Sequence, residues 1–388
     1  MNRTMRVIVI NHVAADSIYG ANQSVQRHVK ALKDYSDTEI QVINRIPLSR
    51  LGTSQSIDRA HFPMSHEYEG AALSKKLLAV AYKLLTGHRH LITQVVSFQP
   101  DVIHLNSLTL LPTARLLKRN MNLHSIPIVM SAREMLRVYP KPSGQSHMST
   151  VDLFVAIDPV TRNRMLEILP LESRQRVRIC PNLFDINIAS RTTSAPSAGR
   201  TFALIGRVEP EKGARFVTQA FQQAAAPGAQ LMIIGGSAKD QYVARPPLES
   251  RSAGIINTGQ IANLLNSPAF AQVDFIIRGE KSFHGLGRSG IEGLLSGKVL
   301  LLPSPNGMNP TSDQTLRELT DMGRICWYRA NDKSSLSSAI SRLATYDPSG
   351  DARPLPIDST LWFQDPKKYA ARWVTCYHDV VDASGRRN

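Results

Sequence analysis

The stretch Ser282-Phe-His-Gly-Leu-Gly-Arg-Ser-Gly-Ile-Glu-Gly-Leu-Leu-Ser-Gly297 has the residue types and spacing to hold a phosphate beside a sugar diol. An apolar run ending in Phe275-Ile-Ile precedes it, its glycines permit a sharp turn, and Ile291, Leu294 and Leu295 recur at the spacing of one buried helix face. The order is therefore strand, glycine turn, helix. Backbone N–H groups at a helix start lack intrahelical partners and lie at the positive end of the dipole, which places Gly287, Arg288, Ser289 and Gly290 to cradle a phosphate. Glu292 follows about one turn later on the side of Arg288, where its carboxylate could accept hydrogen bonds from a ribose diol. The same spacing also makes Arg288 and Glu292 an ordinary i, i+4 ion pair, worth roughly a few tenths of a kcal/mol.

The segment His284-Gly-Leu-Gly-Arg-Ser-Gly-Ile-Glu292, with Ser296-Gly297-Lys298 and the apolar Val299-Leu-Leu-Leu302 after it, resembles the Glu-x7-Glu segment of glycosyltransferase family 4 enzymes, which have the GT-B fold. Glu292 matches the second glutamate; His284 replaces the first. Thr201-Phe-Ala-Leu-Ile-Gly-Arg-Val-Glu-Pro-Glu-Lys-Gly213 is similar to the family's Gly-Arg-Leu-x3-Lys-Gly signature, with Gly206, Arg207, Lys212 and Gly213 in register. A strand end delivers one cation and a helix start the other, and together they neutralise a diphosphate whose charge grows as it leaves. Lys and Arg around such a turn are also common on plain surfaces. The resemblance implies a nucleotide-sugar donor with Arg207 and Lys212 on the diphosphate and Glu292 on the ribose. It also puts the strand ending at Gly259 beside the nucleobase.

The first half carries weaker matches. Met5-Arg-Val-Ile-Val-Ile10 reads as a buried strand, and Val25, Val29 and Leu32 fall on one face of the helix after it. Gly20, between the two, resembles the family's glycine-rich loop, with Tyr19 where the first glycine usually stands. A single glycine there also suits a simple turn. Pro100-Asp-Val-Ile-His-Leu-Asn-Ser107 resembles another family strand end, with His104 matching and Asn106 replacing a second histidine. The strand in Ile126-Pro-Ile-Val-Met-Ser-Ala-Arg-Glu-Met135 ends in Arg133-Glu134 where the family often has His-Asp beside the donor sugar. A guanidinium is no base near neutral pH, but it can hold a phosphate or carboxylate bidentately. His104 and Arg133 are thus crevice candidates at strand ends, and His104 suits a hydrogen-bonded core position equally well.

Composition limits the alternatives. With 388 residues, 42% apolar and 20% charged, the chain can bury two cores and reads as an ordinary soluble protein. Cys180, Cys326 and Cys376 lie far apart without a metal-ligand pattern, so a disulfide framework or zinc site is not expected and a reducing cytoplasm is. The apolar run Val7-Ile-Val-Ile10 is too short for a signal peptide, and no 18-residue apolar stretch occurs. The formal net charge is +15, and residues 1–195 hold 24 Lys+Arg against 14 Asp+Glu, so the excess is concentrated in the first half. That charge attracts nucleic acid, anionic lipid or phosphorylated substrates alike and does not choose among them; no nucleic-acid motif accompanies it, so a nucleic-acid partner is not expected. Residues 71–85 read as a basic amphipathic helix, either core or docked at an anionic membrane surface.

The expected architecture is α/β, GT-B: two Rossmann-like doubly wound domains facing a cleft. Residues 1–190 would be the acceptor domain, 191–200 a linker, 201–360 the nucleotide-sugar donor domain and 361–388 a helix crossing back to the first domain. Residues 45–70 read as a surface loop. The resemblance implies a metal-independent, hexosyltransferase-like glycosyltransferase that needs no cofactor beyond its donor substrate. It would move a sugar with retention to a glycan or lipid-linked acceptor, in the cytoplasm or at the inner face of the membrane, in polysaccharide or glycoconjugate biosynthesis. Arg207, Lys212, His284 and Arg133 would act around the reacting groups, and Gly20, Gly206, Gly259, Gly287, Arg288, Ser289, Gly290 and Glu292 would hold the nucleotide. The departures at His284, Arg133 and Asn106 all fall around the sugar. They keep open a nucleotide-sugar epimerase of the same fold, or a non-catalytic subunit binding nucleotide or glycan.

Overall fold

The computed structural model describes residues 4–12, 20–45, 59–60, 88–133, 148–184, 200–206, 208, 212–236, 254–259, 261, 264–281, 283–304, 313–346, 355, 358–359 and 361–385. The chain forms two compact units, Met1–Leu183 with Asp358–Asn388, and Phe184–Ile357. The 71–85 segment, residues 191–199 of the expected linker, and Arg207 lie outside the described residues.

Unit 1 begins with β1 (Met5–Asn11), whose run of apolar residues is buried on both faces. There follow α1 (Gly20–Tyr35), β2 (Thr38–Arg45), β3 (Arg59–Ala60), α2 (His88–Phe98), β4 (Val102–Leu105), α3 (Leu111–Lys118), β5 (Ile128–Ala132), β6 (Leu153–Ala156), α4 (Pro159–Ile168), α5 (Leu171–Arg174) and β7 (Val177–Ile179). The strands form one parallel sheet in the order β3-β2-β1-β4-β5-β6-β7. Parallel neighbours require crossovers, and the helices cover both faces. Because side chains alternate along a strand, Ile8, Ile10, Ile103 and Leu105 enter one core while Val7, Val9, Val102 and Val129 enter the other. Within the segment 45–70, read as a surface loop, the described residues Arg59 and Ala60 form a strand instead, with Arg59 paired to Asn44 and Ala60 to Arg45. So short a strand covers part of an edge whose backbone groups would otherwise invite another chain.

Unit 2 contains β8 (Thr201–Ile205), α6 (Ala214–Ala224), β9 (Gln230–Ile234), β10 (Ile255–Gly259), α7 (Pro268–Ala271), β11 (Phe275–Ile277), α8 (Gly287–Leu295), β12 (Val299–Ser304), α9 (Gln314–Asp321), β13 (Ile325–Arg329) and α10 (Lys333–Ala344). Its parallel order is β10-β9-β8-β11-β12-β13. The winding reverses between β8 and β11, and such a reversal opens a ligand crevice at the carboxyl ends of the strands. Both loops singled out in the sequence leave those two strands.

The last helix, α11 (Pro366–Ala383), belongs to unit 1 and packs with α1. Tyr369, Trp373, Tyr377 and Val380 on one of its faces enter the same core as Val25 and Leu32. A buried polar chain threads this contact. His28 of α1 lies between the hydroxyls of Tyr369 (3.1 Å from Nδ1) and Tyr377 (2.9 Å from Nε2). His104 lies between the same Tyr377 hydroxyl (2.9 Å from Nδ1) and Ser131 Oγ (2.7 Å from Nε2), with its ring stacked on Trp373. His104 is therefore a core histidine. A neutral imidazole offers one donor and one acceptor, and Tyr377 has one proton to give, so at least one of the two imidazoles must donate to the Tyr377 hydroxyl.

Burial holds both imidazoles well below the ordinary histidine value, and Arg133 lowers both further, as His104 does for His28. They stay neutral when folded and become protonated near pH 6.5 when unfolded. Their contribution is full above about pH 6.5 and falls by up to about 1.4 kcal/mol per pH unit per histidine below it. Urea unfolding between pH 7.5 and 5 should show stability declining with pH, and His28→Gln should make the decline shallower. A flat profile would contradict this account of the chain.

Candidate functional site

Three strands of unit 2 end in glycine. Gly206 follows β8 with φ of +132°, Gly235 follows β9 with φ of +152°, and Gly259 ends β10 with φ of +66°. Gly206 N–H donates to the Ile234 carbonyl at 2.9 Å, and Gly235 N–H donates to the Gly259 carbonyl at 2.8 Å. A Cβ on Gly235 would overlap the Gly206 carbonyl, whereas one on Gly206 or Gly259 would meet no heavy atom within 4 Å among the described residues. The carboxyl edge here is a shelf of bare backbone, on which a flat or charged ligand can approach the main chain.

Next to the shelf, the β8–α6 and β11–α8 loops touch. Gly213, at the start of α6 with φ of +70°, leaves no room for a Cβ against the Gly279 carbonyl, and a Cβ on Gly279 would come within 2.7 Å of the Lys212 carbonyl. Alanine at 213 would combine left-handed backbone strain with that overlap, at a cost of about 2 kcal/mol or more. Urea unfolding of Gly213→Ala checks this. Wild-type stability in the variant would mean that the two loops do not need their close approach.

Charged side chains bind the same loops together. Lys212 Nζ lies 3.0 Å from Glu280 Oε1, and Arg278 grips the same carboxylate through Nη2 (2.7 Å to Oε1) and Nε (3.1 Å to Oε2). Arg278 Nη1 also donates to the carbonyl of Leu286, the residue before α8, and Tyr328 Oη donates to the Arg278 carbonyl at 2.5 Å. Glu280 is 4% exposed. Burial alone would raise its carboxyl, but Arg278 and then Lys212 outweigh burial and bring it down to about 2. It is therefore a carboxylate across the physiological range.

Helix α8 begins at Gly287, whose φ is +63°, so Gly287, Arg288, Ser289 and Gly290 form its first turn. Ser289 Oγ lies 3.5 Å from the Ile205 carbonyl, joining this turn to the end of β8. Arg288 Nη2 lies 2.8 Å from Glu292 Oε1, and the Arg288 guanidinium stands 5.6 Å over the Phe184 ring. The ion pair read from the spacing is thus present, with Glu292 largely buried. His284 is half-buried and follows Phe283, which packs edge-on against Trp327 at 5.2 Å.

Arg133 and Gly20 belong to unit 1. Gly20 is the first residue of α1. Arg133 donates from Nε to Asn106 Oδ1 and from Nη1 to Asn182 Oδ1. Asn106 Nδ2 donates to Asn11 Oδ1 at 3.3 Å, and Asn11 Nδ2 donates to Asn44 Oδ1 at 3.0 Å and Asn22 Oδ1 at 3.3 Å. A row of carboxamides therefore crosses the carboxyl ends of β2, β1 and β4 to reach the guanidinium at β5. Sequence reasoning passed over Asn11, Asn22, Asn44 and Asn182, as it did Arg278 and Glu280. A signal was present: Val9-Ile-Asn11, Val42-Ile-Asn44 and His104-Leu-Asn106 each place an asparagine within one residue of a strand's carboxyl end, and Arg278-Gly-Glu280 directly follows β11.

Two parallel doubly wound units, with the terminal helix returned to the first, define the GT-B fold. No protein-family profile matches the chain, and no curated protein matches it. Solved structures do. The chain superposes on HepE from Anabaena in complex with UDP-glucose with a TM-score of 0.59 at 14% identity, covering 99% of this chain and 100% of that one. A glycosyltransferase from Rickettsia africae gives 0.59 at 13% identity, over 98% and 94%. Sucrose-phosphate synthase from Thermosynechococcus elongatus gives 0.59 at 13% identity, over 98% of both chains.

Proposed function

We propose that this chain is a glycosyltransferase of the family 4 type, which moves a hexose from a nucleotide-sugar donor to a glycan or lipid-linked acceptor. The observation that carries the reading is the carboxyl edge of unit 2, where Lys212 and the first turn of α8 are held together beside a glycine shelf at the winding reversal. The GT-B fold supports it, and HepE, of the same fold, was solved with UDP-glucose. The donor's diphosphate would meet Lys212, Arg207 and the N–H groups of residues 287–290, while Glu292 would accept from the ribose hydroxyls and Gly259 would lie beside the base. As the glycosidic bond to the diphosphate breaks, negative charge accumulates on the leaving oxygens. Fixed cations and a helix N-terminus stabilise that charge without reorganising, and in this reading they do so without a metal.

Unit 1 would carry the acceptor, with Arg133 holding an anionic group, and His284 would contact the transferred sugar with retention at its anomeric carbon. The work would be polysaccharide or glycoconjugate synthesis in the cytoplasm, at an anionic membrane surface where the acceptor is lipid-linked. To test this, the purified protein is incubated with UDP-, GDP- and ADP-sugars, with and without oligosaccharide and polyprenyl-phosphate glycan acceptors, and nucleoside diphosphate release is measured. Acceptor-dependent release from one donor supports transfer. A sugar changed without any acceptor would instead mean an epimerase, and no release from any donor would contradict an enzymatic role.

A further inference from the structure

Among the described residues of unit 2 that are not assigned to the donor, Arg278 and Glu280 form a buried charge pair that touches both loops read as facing the phosphates. We propose that the Arg278–Glu280 pair is a positioning device that sets Lys212 and the first turn of α8 in register for a nucleoside diphosphate. This rests on the nucleotide reading given above and extends it to residues that touch no ligand themselves. One carboxylate receives Lys212 from the α6 side at 3.0 Å and Arg278 through two nitrogens. The same guanidinium reaches on to the Leu286 carbonyl and lies against Gly287, where any side chain would strike it. The chain Lys212–Glu280–Arg278–Leu286 therefore spans from one helix start to the other.

The chemistry of each partner suits the task. Lysine is a flexible stem with rotamer entropy to lose, and a fixed carboxylate removes that freedom before the ligand arrives. An ammonium has three donors, so Lys212 can keep Glu280 and still reach a phosphate oxygen. A guanidinium is a rigid planar fork, able to hold the carboxylate on one edge and a backbone carbonyl on another, which an ammonium cannot do at fixed geometry. Tyr328 donates to the Arg278 carbonyl and fixes the backbone from which the fork extends.

Net charge must be separated from geometry, because removing Glu280 alone would add a positive charge beside a phosphate site. The double variant Arg278→Leu/Glu280→Leu removes one charge of each sign and leaves the sum unchanged. Replacing a buried pair by apolar groups of similar volume is often neutral for stability. The experiment measures affinity for the nucleoside, monophosphate and diphosphate of the base that the wild type binds, together with urea unfolding. The expected result is a folded double variant whose diphosphate affinity falls about tenfold while its nucleoside affinity is unchanged. Arg278→Lys, which keeps the charge but loses the fork, should show the same selective loss, and it decides the matter if the double variant does not fold.

Wild-type diphosphate affinity in a folded variant, or equal loss for nucleoside and diphosphate, would overturn the proposal. Failure of the wild type to bind any of the three ligands would instead overturn the nucleotide reading on which it rests.

Discussion

Replacing Glu280 alone with leucine should lower the folding stability of unit 2 by about 3–5 kcal/mol, the usual result of stranding one partner of a buried ion pair. Arg278 is only 11% exposed and cannot shed its proton, so its charge would remain in the interior without its carboxylate, near a second cation, Lys212, and with the Leu286 carbonyl still accepting from Nη1. The same pair makes a prediction about acid. Glu280 has its carboxyl lowered to about 2 in the folded chain, so its stabilisation is complete above the unfolded carboxylate value and disappears as pH falls from about 4.5 towards 2. Urea unfolding at pH 7.5 should separate wild type from Glu280→Leu by several kcal/mol. A difference under about 1 kcal/mol would mean that water reaches Arg278 in solution and that the pair is not the interior contact described here.

The second large effect concerns turnover. Lys212→Ala should reduce sugar transfer by about 100- to 1,000-fold, the range seen when one preorganised group facing developing charge is removed. The loss should appear in kcat as well as in affinity, because charge on the diphosphate oxygens increases as the sugar leaves. A binding role alone would raise KM and leave kcat intact. Steady-state kinetics with the preferred donor distinguish the two. An unchanged kcat would remove Lys212 from the reacting end of the site and leave it as a binding cation.

Much of the architecture was legible because parallel sheets advertise themselves. Strands buried on both faces, such as Val7-Ile-Val-Ile10 and Val299-Leu-Leu-Leu302, read as continuous apolar runs, and helices between them follow from spacing. The helix expected over residues 361–388 is present as α11, which buries Tyr369, Trp373 and Tyr377 against α1. What the sequence could not display was partner choice. His104 suited a crevice or a core equally well until its two nitrogens were seen bound to Tyr377, 273 positions away, and to Ser131. Glu280 sits among other charges near β11, and only the fold brings Lys212, 68 positions earlier, to within 3.0 Å of it. Arg133 was read as an anion-binding group from its type, but the carboxamides that hold it come from β1, β2, the residue after β4, the first turn of α1 and the segment after β7.

The most direct test is calorimetric titration of the purified protein with UDP, GDP and ADP, repeated with Lys212→Ala and Glu292→Ala. Selective binding of one nucleotide is predicted, weakened about tenfold or more by each substitution, since each removes a charge-assisted contact to the diphosphate or the ribose. A folded wild-type protein that binds none of the three, or one whose binding ignores both substitutions, would contradict placement of a nucleotide-sugar donor at the carboxyl edge of unit 2.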